Sequence, residues 1–127
     1  MSSTRPTFEQ FKQSRAAGQE RLLAVEHLGV KRFLRLDSAT YEDASAEGGL
    51  DTRTKELLGL VASAVLRCDD CINYHLEQCV RSGSTPKQIV DAMNIALVVG
   101  GSIVIPHMRR ALLTLDEIVA AHNGTAS

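Results

Sequence analysis

The chain has 127 residues, a formal net charge of -1 and an apolar fraction of 44%. That length fits one domain, 1–127, large enough to bury a core without disulfide or metal staples. The charge balance gives no polyanion footprint. With no Trp, three Phe and two Tyr there is also no aromatic platform for stacking bases, so nucleic acid is not an expected partner.

In chain order, residues 1–6 read as a frayed start without the apolar segment of an export signal. Thr7 and Gln10 form a capping-box pattern that opens a helix with Phe8 and Phe11 on one side. Helical spacing resumes over residues 20–28, with Gly18 and Gly29 as candidate interruptions. Residues 30–36 follow as a short segment, and the polar stretch around 46–49 reads as a loop. Asp51 is placed to cap a helix over residues 52–67, whose apolar stripe is Leu57, Leu58, Val61, Ala64 and Val65. A cysteine-bearing helix is predicted from residue 68 or 69 to Arg81, stopped by Gly83. Thr85, Pro86 and Gln88 start the next helix as cap, first-turn proline and capping-box glutamine. Its apolar side is Ile89, Val90, Met93, Leu97 and Val98. The spacing favours continuation of this helix through residues 103–105, with Pro106 ending or kinking it. An amphipathic helix over residues 107–122 then precedes a polar, mobile tail. Apolar runs such as residues 95–99 are too short to span a bilayer, so no membrane partner is expected. The expected fold is an all-α bundle of about six helices.

The chemistry concentrates in Cys68-Asp69-Asp70-Cys71 and in His75, four residues further on. At about 100° per residue, Cys68, Cys71, His75 and Cys79 share roughly 80° of a helical face, beside the apolar Ile72 and Leu76. Asp70, Asn73, Glu77 and Arg81 fall on the other side. A thiol acts as a nucleophile only when ionised, and a helix start and a neighbouring imidazole both favour that state. Asp69 and Asp70 oppose it electrostatically. Three cysteines, an odd number, with no export signal, suit a reducing compartment, and the expected location is the cytoplasm. A second thiol one turn away can close a disulfide on its oxidised neighbour and shield it from further oxidation. The same residues could instead hold zinc, with Cys79, His107 or a carboxylate as fourth donor, or could be ordinary core side chains. Cys79 reads as a small buried hydrophobe, and His107 as a surface or interface residue. His27 and His122 carry no assignment. Glu56, alone, reads as a solvated carboxylate paired with Arg53.

Taken together, Glu56, the Cys68-x-x-Cys71 pair, His75 and the apolar helix ending in Gly100-Gly101 resemble the alkylhydroperoxidase D-like branch of the carboxymuconolactone decarboxylase family. The likeness spans about residues 50–105. It implies an all-helical domain assembled as a trimer or hexamer. It also implies thiol-dependent peroxidase or disulfide-reductase activity in antioxidant defence, with a hydroperoxide substrate and a dithiol or thioredoxin-like electron donor. No cofactor and no metal belong to that activity. By the same resemblance Cys71 is the cysteine oxidised to a sulfenic acid and Cys68 its resolving partner and proton donor. His75 and Glu56 form a proton relay. The best-known members carry a further histidine directly before the second cysteine, where this chain has Asp70. The decarboxylase branch lacks the cysteine pair, which disfavours lactone decarboxylation. A non-enzymatic domain that binds metal or senses oxidants is the alternative reading.

Overall fold

The computed structural model describes residues 5–126, with the side chains of 125 and 126 outside the description. Six α-helices follow one another: α1 (Phe8–Leu23), α2 (Leu28–Thr40), α3 (Thr52–Val65), α4 (Asp69–Arg81), α5 (Pro86–Gly100) and α6 (Ile105–Ala126). Single 3-10 turns lie at Ser45–Glu47 and Ser102–Val104, and no strand occurs among the described residues. The expected all-α class is the observed one.

Helix starts follow the local chemistry read from the sequence. In α1, Gln10 N–H donates to Thr7 Oγ1 and Thr7 N–H to Gln10 Oε1, closing the capping box. Thr85 and Gln88 do the same for α5, with Pro86 in its first turn. Asp51 Oδ1 accepts from Thr54 N–H at 2.8 Å to open α3. The break between α1 and α2 lies at neither predicted glycine. Gly18 runs inside α1 and Gly29 inside α2, and the chain turns at residues 24–27 instead. His27, unassigned from sequence, caps α2 by accepting from Val30 N–H through Nδ1.

Two expectations near the chain's middle and end are overturned. Helix α5 does not continue to Pro106. Gly101 takes φ 85°, ψ -172°, a conformation open essentially to glycine alone, and the helix stops there. Pro106 then sits in the first turn of α6, where its missing N–H costs nothing. The final helix runs on to Ala126 instead of giving way to a mobile tail after residue 122. The frayed start fails at Arg5, whose guanidinium meets both oxygens of Glu117 at 2.9 Å and Thr114 Oγ1 at 3.1 Å. That pairing holds the Glu117 carboxyl below its ordinary range. Residues 1–4 and 127, on which the rest of those two readings fell, lie outside the described residues.

The core gathers Leu60 and Ala64 of α3, Ile72 and Leu76 of α4, Ile89, Met93 and Ala96 of α5, and Ala111, Leu115 and Ile118 of α6. Helix α3 packs on α4 and α5, and α4 on α6, while Phe8 and Phe11 of α1 cap one side. Four of the five predicted stripe residues of α3, Leu57, Val61, Ala64 and Val65, lie in or against this core, and the inward side is wider than predicted. Glu56, Leu60, Ser63 and Ala64 are buried, and Leu58 faces out. Asn73, expected on the outer side of α4, is also buried. Helix α2 is the outlier: it buries none of its side chains, and Phe33 and Leu36 are each 65% exposed.

Cys79 is wholly buried and unpaired, the small hydrophobe the sequence suggested. Burial, aided by the Glu56 carboxylate, pushes its thiol up to about 12. An unfolded cysteine titrates near ~8.5, so the native state holds this proton more tightly. The stability this confers should be complete below that value and decline as the pH rises towards about 12. Alkylation of the reduced protein at pH 8, followed by peptide mass mapping, should modify Cys68 and Cys71 and spare Cys79 until denaturant is added.

Candidate functional site

The site is built at the tight reversal between α3 and α4. After Leu66 ends α3, Arg67 adopts φ 60°, the left-handed conformation that terminates many helices but is uncommon for a residue with a side chain. Arg67 N–H donates to the Ala64 carbonyl and Cys68 N–H to that of Ser63, which folds the chain back on itself. Cys68 thereby becomes the N-cap of α4, and its Sγ accepts from Cys71 N–H at 3.2 Å. The two cysteines are paired as a disulfide, with Cα atoms 5.2 Å apart.

The sulfurs are less enclosed than the helical-face reading implied. Cys71 is exposed and Cys68 half-buried, because Cys68 precedes the helix instead of lying on its apolar face. Cys71 opens onto a cavity of about 560 Å³ between α1 and α4, walled also by Phe11, Arg15, Leu22, Asp37 and His75. Arg15 lies over the Tyr74 ring at 4.4 Å.

One turn into α4, His75 is 8% exposed and Glu56 of α3 is 5% exposed. His75 Nδ1 stands 2.8 Å from Glu56 Oε1, so this carboxylate is buried against an imidazole and not solvated beside Arg53. A buried carboxylate needs such a partner, since desolvation without one is costly. Gly59 makes the approach possible. A Cβ built there would fall 2.7 Å from His75 Cε1 and 2.9 Å from Nε2. Tyr41 and Tyr74 flank the ring at centroid distances of 5.3 and 5.2 Å. Burial, reinforced by the Glu56 charge, holds both phenols above the ordinary tyrosine range. Both remain neutral hydroxyls at physiological pH.

Asp69, which the sequence set against thiolate formation, is largely compensated. Its carboxylate accepts from His107 Nδ1 at 2.7 Å and Arg110 Nε at 2.9 Å, both on α6. Asp70 stays exposed on the cavity wall. With His107 turned to Asp69 and Cys79 in the core, two of the fourth donors named for zinc point elsewhere. Among the described residues no three His, Cys, Asp or Glu side chains form a metal-binding group. The structure thus brings Glu56 to His75 and Cys68 to Cys71. Sequence reasoning missed Tyr41, whose weight comes only from the fold. It also missed Arg110, although its spacing of three from His107 in a helix is a readable signal.

This arrangement defines a class: an all-helical protein with a cysteine pair at a helix start and a carboxylate-bound imidazole one turn on. Residues 31–121 match the model of the carboxymuconolactone decarboxylase family, and the chain belongs to that family. Two crystal structures of a family member from Thermotoga maritima resemble it at TM-scores of 0.83 and 0.84, with 49% and 50% identity. They cover 92% and 91% of this chain, and 96% and 98% of their own. A family protein from Legionella pneumophila, 22% identical over 87% of this chain and 96% of its own, shares the fold at a TM-score of 0.77. Among curated sequences, protein 4 of the cox locus of Paracoccus denitrificans is 35% identical over 89 residues, 70% of this chain and 77% of that protein.

Substituting Gly59→Ala should drive the His75 ring off Glu56, with a stability loss of about 1–3 kcal/mol from overpacking. Thermal unfolding measures the loss, and a crystal structure of the variant should show the Nδ1–Oε1 bond broken.

Proposed function

We propose that the protein is a thiol-dependent peroxidase or disulfide reductase of antioxidant defence, acting through Cys71, Cys68, His75 and Glu56. The observation that carries this reading is the exposed Cys71, joined to Cys68 at the mouth of a cavity that His75 also lines. The relative from Thermotoga maritima has itself been suggested to take part in an antioxidative response.

In the reduced protein, Cys71 thiolate attacks the terminal oxygen of a hydroperoxide and the O–O bond breaks. The leaving alkoxide takes a proton and departs as the alcohol, and Cys71 becomes a sulfenic acid. Cys68 sulfur then attacks Cys71 sulfur, water leaves, and the disulfide forms. His75, held by Glu56, takes and returns the protons. An external dithiol of the thioredoxin kind reduces the pair again. The wide cavity, apolar at Phe11 and Leu22, suits an organic hydroperoxide.

Peroxide consumption with dithiothreitol as reductant tests the reading. Cys71→Ser should abolish turnover, and Cys68→Ser should leave the first attack intact while Cys71 over-oxidises, visible as added oxygen mass. Unchanged consumption by Cys71→Ser would overturn the assignment.

Assembly is part of the same proposal. Among the described residues helix α2 buries none of its side chains and leaves Phe33 and Leu36 largely exposed, and Val98, Val99 and Ile103 are exposed at 76%, 70% and 54%. Single-chain burial of these surfaces is lacking, so a homo-oligomer, trimer or hexamer, is expected. Sedimentation should return a mass above the 13.8 kDa of one chain, and a monomer would refute it.

A further inference from the structure

The His75 ring has a neighbour at each nitrogen. Nδ1 lies 2.8 Å from Glu56 Oε1, and Nε2 lies 3.4 Å from Tyr41 Oη. An ionised carboxylate only accepts, so in the neutral ring Nδ1 carries the proton and Nε2 keeps the lone pair. A phenol can serve that nitrogen in either state. It donates to the neutral imidazole, and its oxygen accepts once Nε2 is protonated.

Tyr41 is not a chance neighbour. It is the C-cap residue of α2, and its backbone is tied to the start of α3. The Tyr41 carbonyl accepts from Thr52 Oγ1 at 2.8 Å, and the next carbonyl, of Glu42, from Lys55 Nζ at 2.7 Å. Thr52 lies one turn before Glu56 on the same helix. One helix therefore sets both partners of the ring, Glu56 through its side chain and Tyr41 through its backbone. The tilted ring contact between Tyr41 and His75, 5.3 Å between centroids, would survive loss of the hydroxyl.

We propose that Tyr41 is a positioning residue of the site, its phenol holding His75 Nε2 so that the imidazole keeps one tautomer and one orientation on the cavity wall. The proposal rests on the reading of His75 as proton carrier of the thiol chemistry. On that reading the Tyr41 O–H first turns away from the Nε2 lone pair, and the S–H bond of the Cys71 thiol then breaks as an N–H bond forms at Nε2, with no electron removed. The phenol then turns from donor to acceptor, so the imidazolium is not left without a partner.

The test is Tyr41→Phe, which removes one oxygen and keeps the ring. With 15N-labelled histidine at constant pH, the wild-type His75 should show a protonated Nδ1 and a hydrogen-bonded Nε2. In Tyr41→Phe the Nε2 resonance should move towards that of a free acceptor nitrogen, and exchange between tautomers should appear. The value of kcat should fall about tenfold, a fraction of the 10²-fold that a misplaced catalytic group can cost. Thr52→Val, which frees the Tyr41 backbone without touching the phenol, should move both readouts in the same direction by less. Unchanged nitrogen resonances in Tyr41→Phe overturn the proposal, whatever happens to the rate. If the wild-type protein consumes no peroxide, the peroxidase reading fails, and the resonances still decide whether Tyr41 holds the ring.

Discussion

The contact between Glu56 and His75 is the constraint around which the site is built. A carboxylate and an imidazole have both left water at the interface of two helices, a costly transfer unless each finds a partner of matching shape. The 2.8 Å bond between them meets that need, and it dictates much nearby. It requires a residue without a side chain at position 59. It also requires the close packing of α3 and α4 that the left-handed Arg67 turn allows. The same turn delivers Cys68 to the cap of α4, so the geometry that seats the imidazole also seats the sulfurs.

Around that contact, charge and burial separate the three sulfurs by role. Cys79, one turn beyond His75, is sealed in the core that Leu60, Leu76 and Met93 also help form, and is kept protonated. Cys71 faces a cavity, and Cys68 stands between solvent and interior. Reactivity follows exposure and local charge more than residue type. One helix and its cap thus carry two sulfurs near solvent and a third thiol sealed from it.

Much of this could be read from residues alone, and the exceptions have physical causes. Caps at Thr7, Asp51 and Thr85 were legible because they depend on neighbours within one turn. The helix limits near Gly18, Gly29 and Pro106 were not, because glycine is tolerated within a helix and proline suits a first turn. Glu56, on the inward side of α3, was misplaced for a different reason. An apolar count assigns Glu56 to the solvent, whereas the fold buries it to meet a histidine nineteen positions away. Tyr41 left no sequence signal, since its nearness to His75 depends on how α2 returns to α3. The Cys68-x-x-Cys71 spacing was the clearest guide, yet it overstated enclosure by placing the first cysteine on the helix instead of at its cap.

Helix α4 is fastened on two sides at different heights. Asp69 in its first turn is bolted to His107 and Arg110 of α6, and His75 in its second is bolted to α3. Cys71 lies between these anchors and Cys68 directly before the first, so both sulfurs sit within one turn of a tethered point on the backbone. Making and breaking the bond between Cys68 and Cys71, which the proposed activity requires, then falls mainly to rotation within the two side chains.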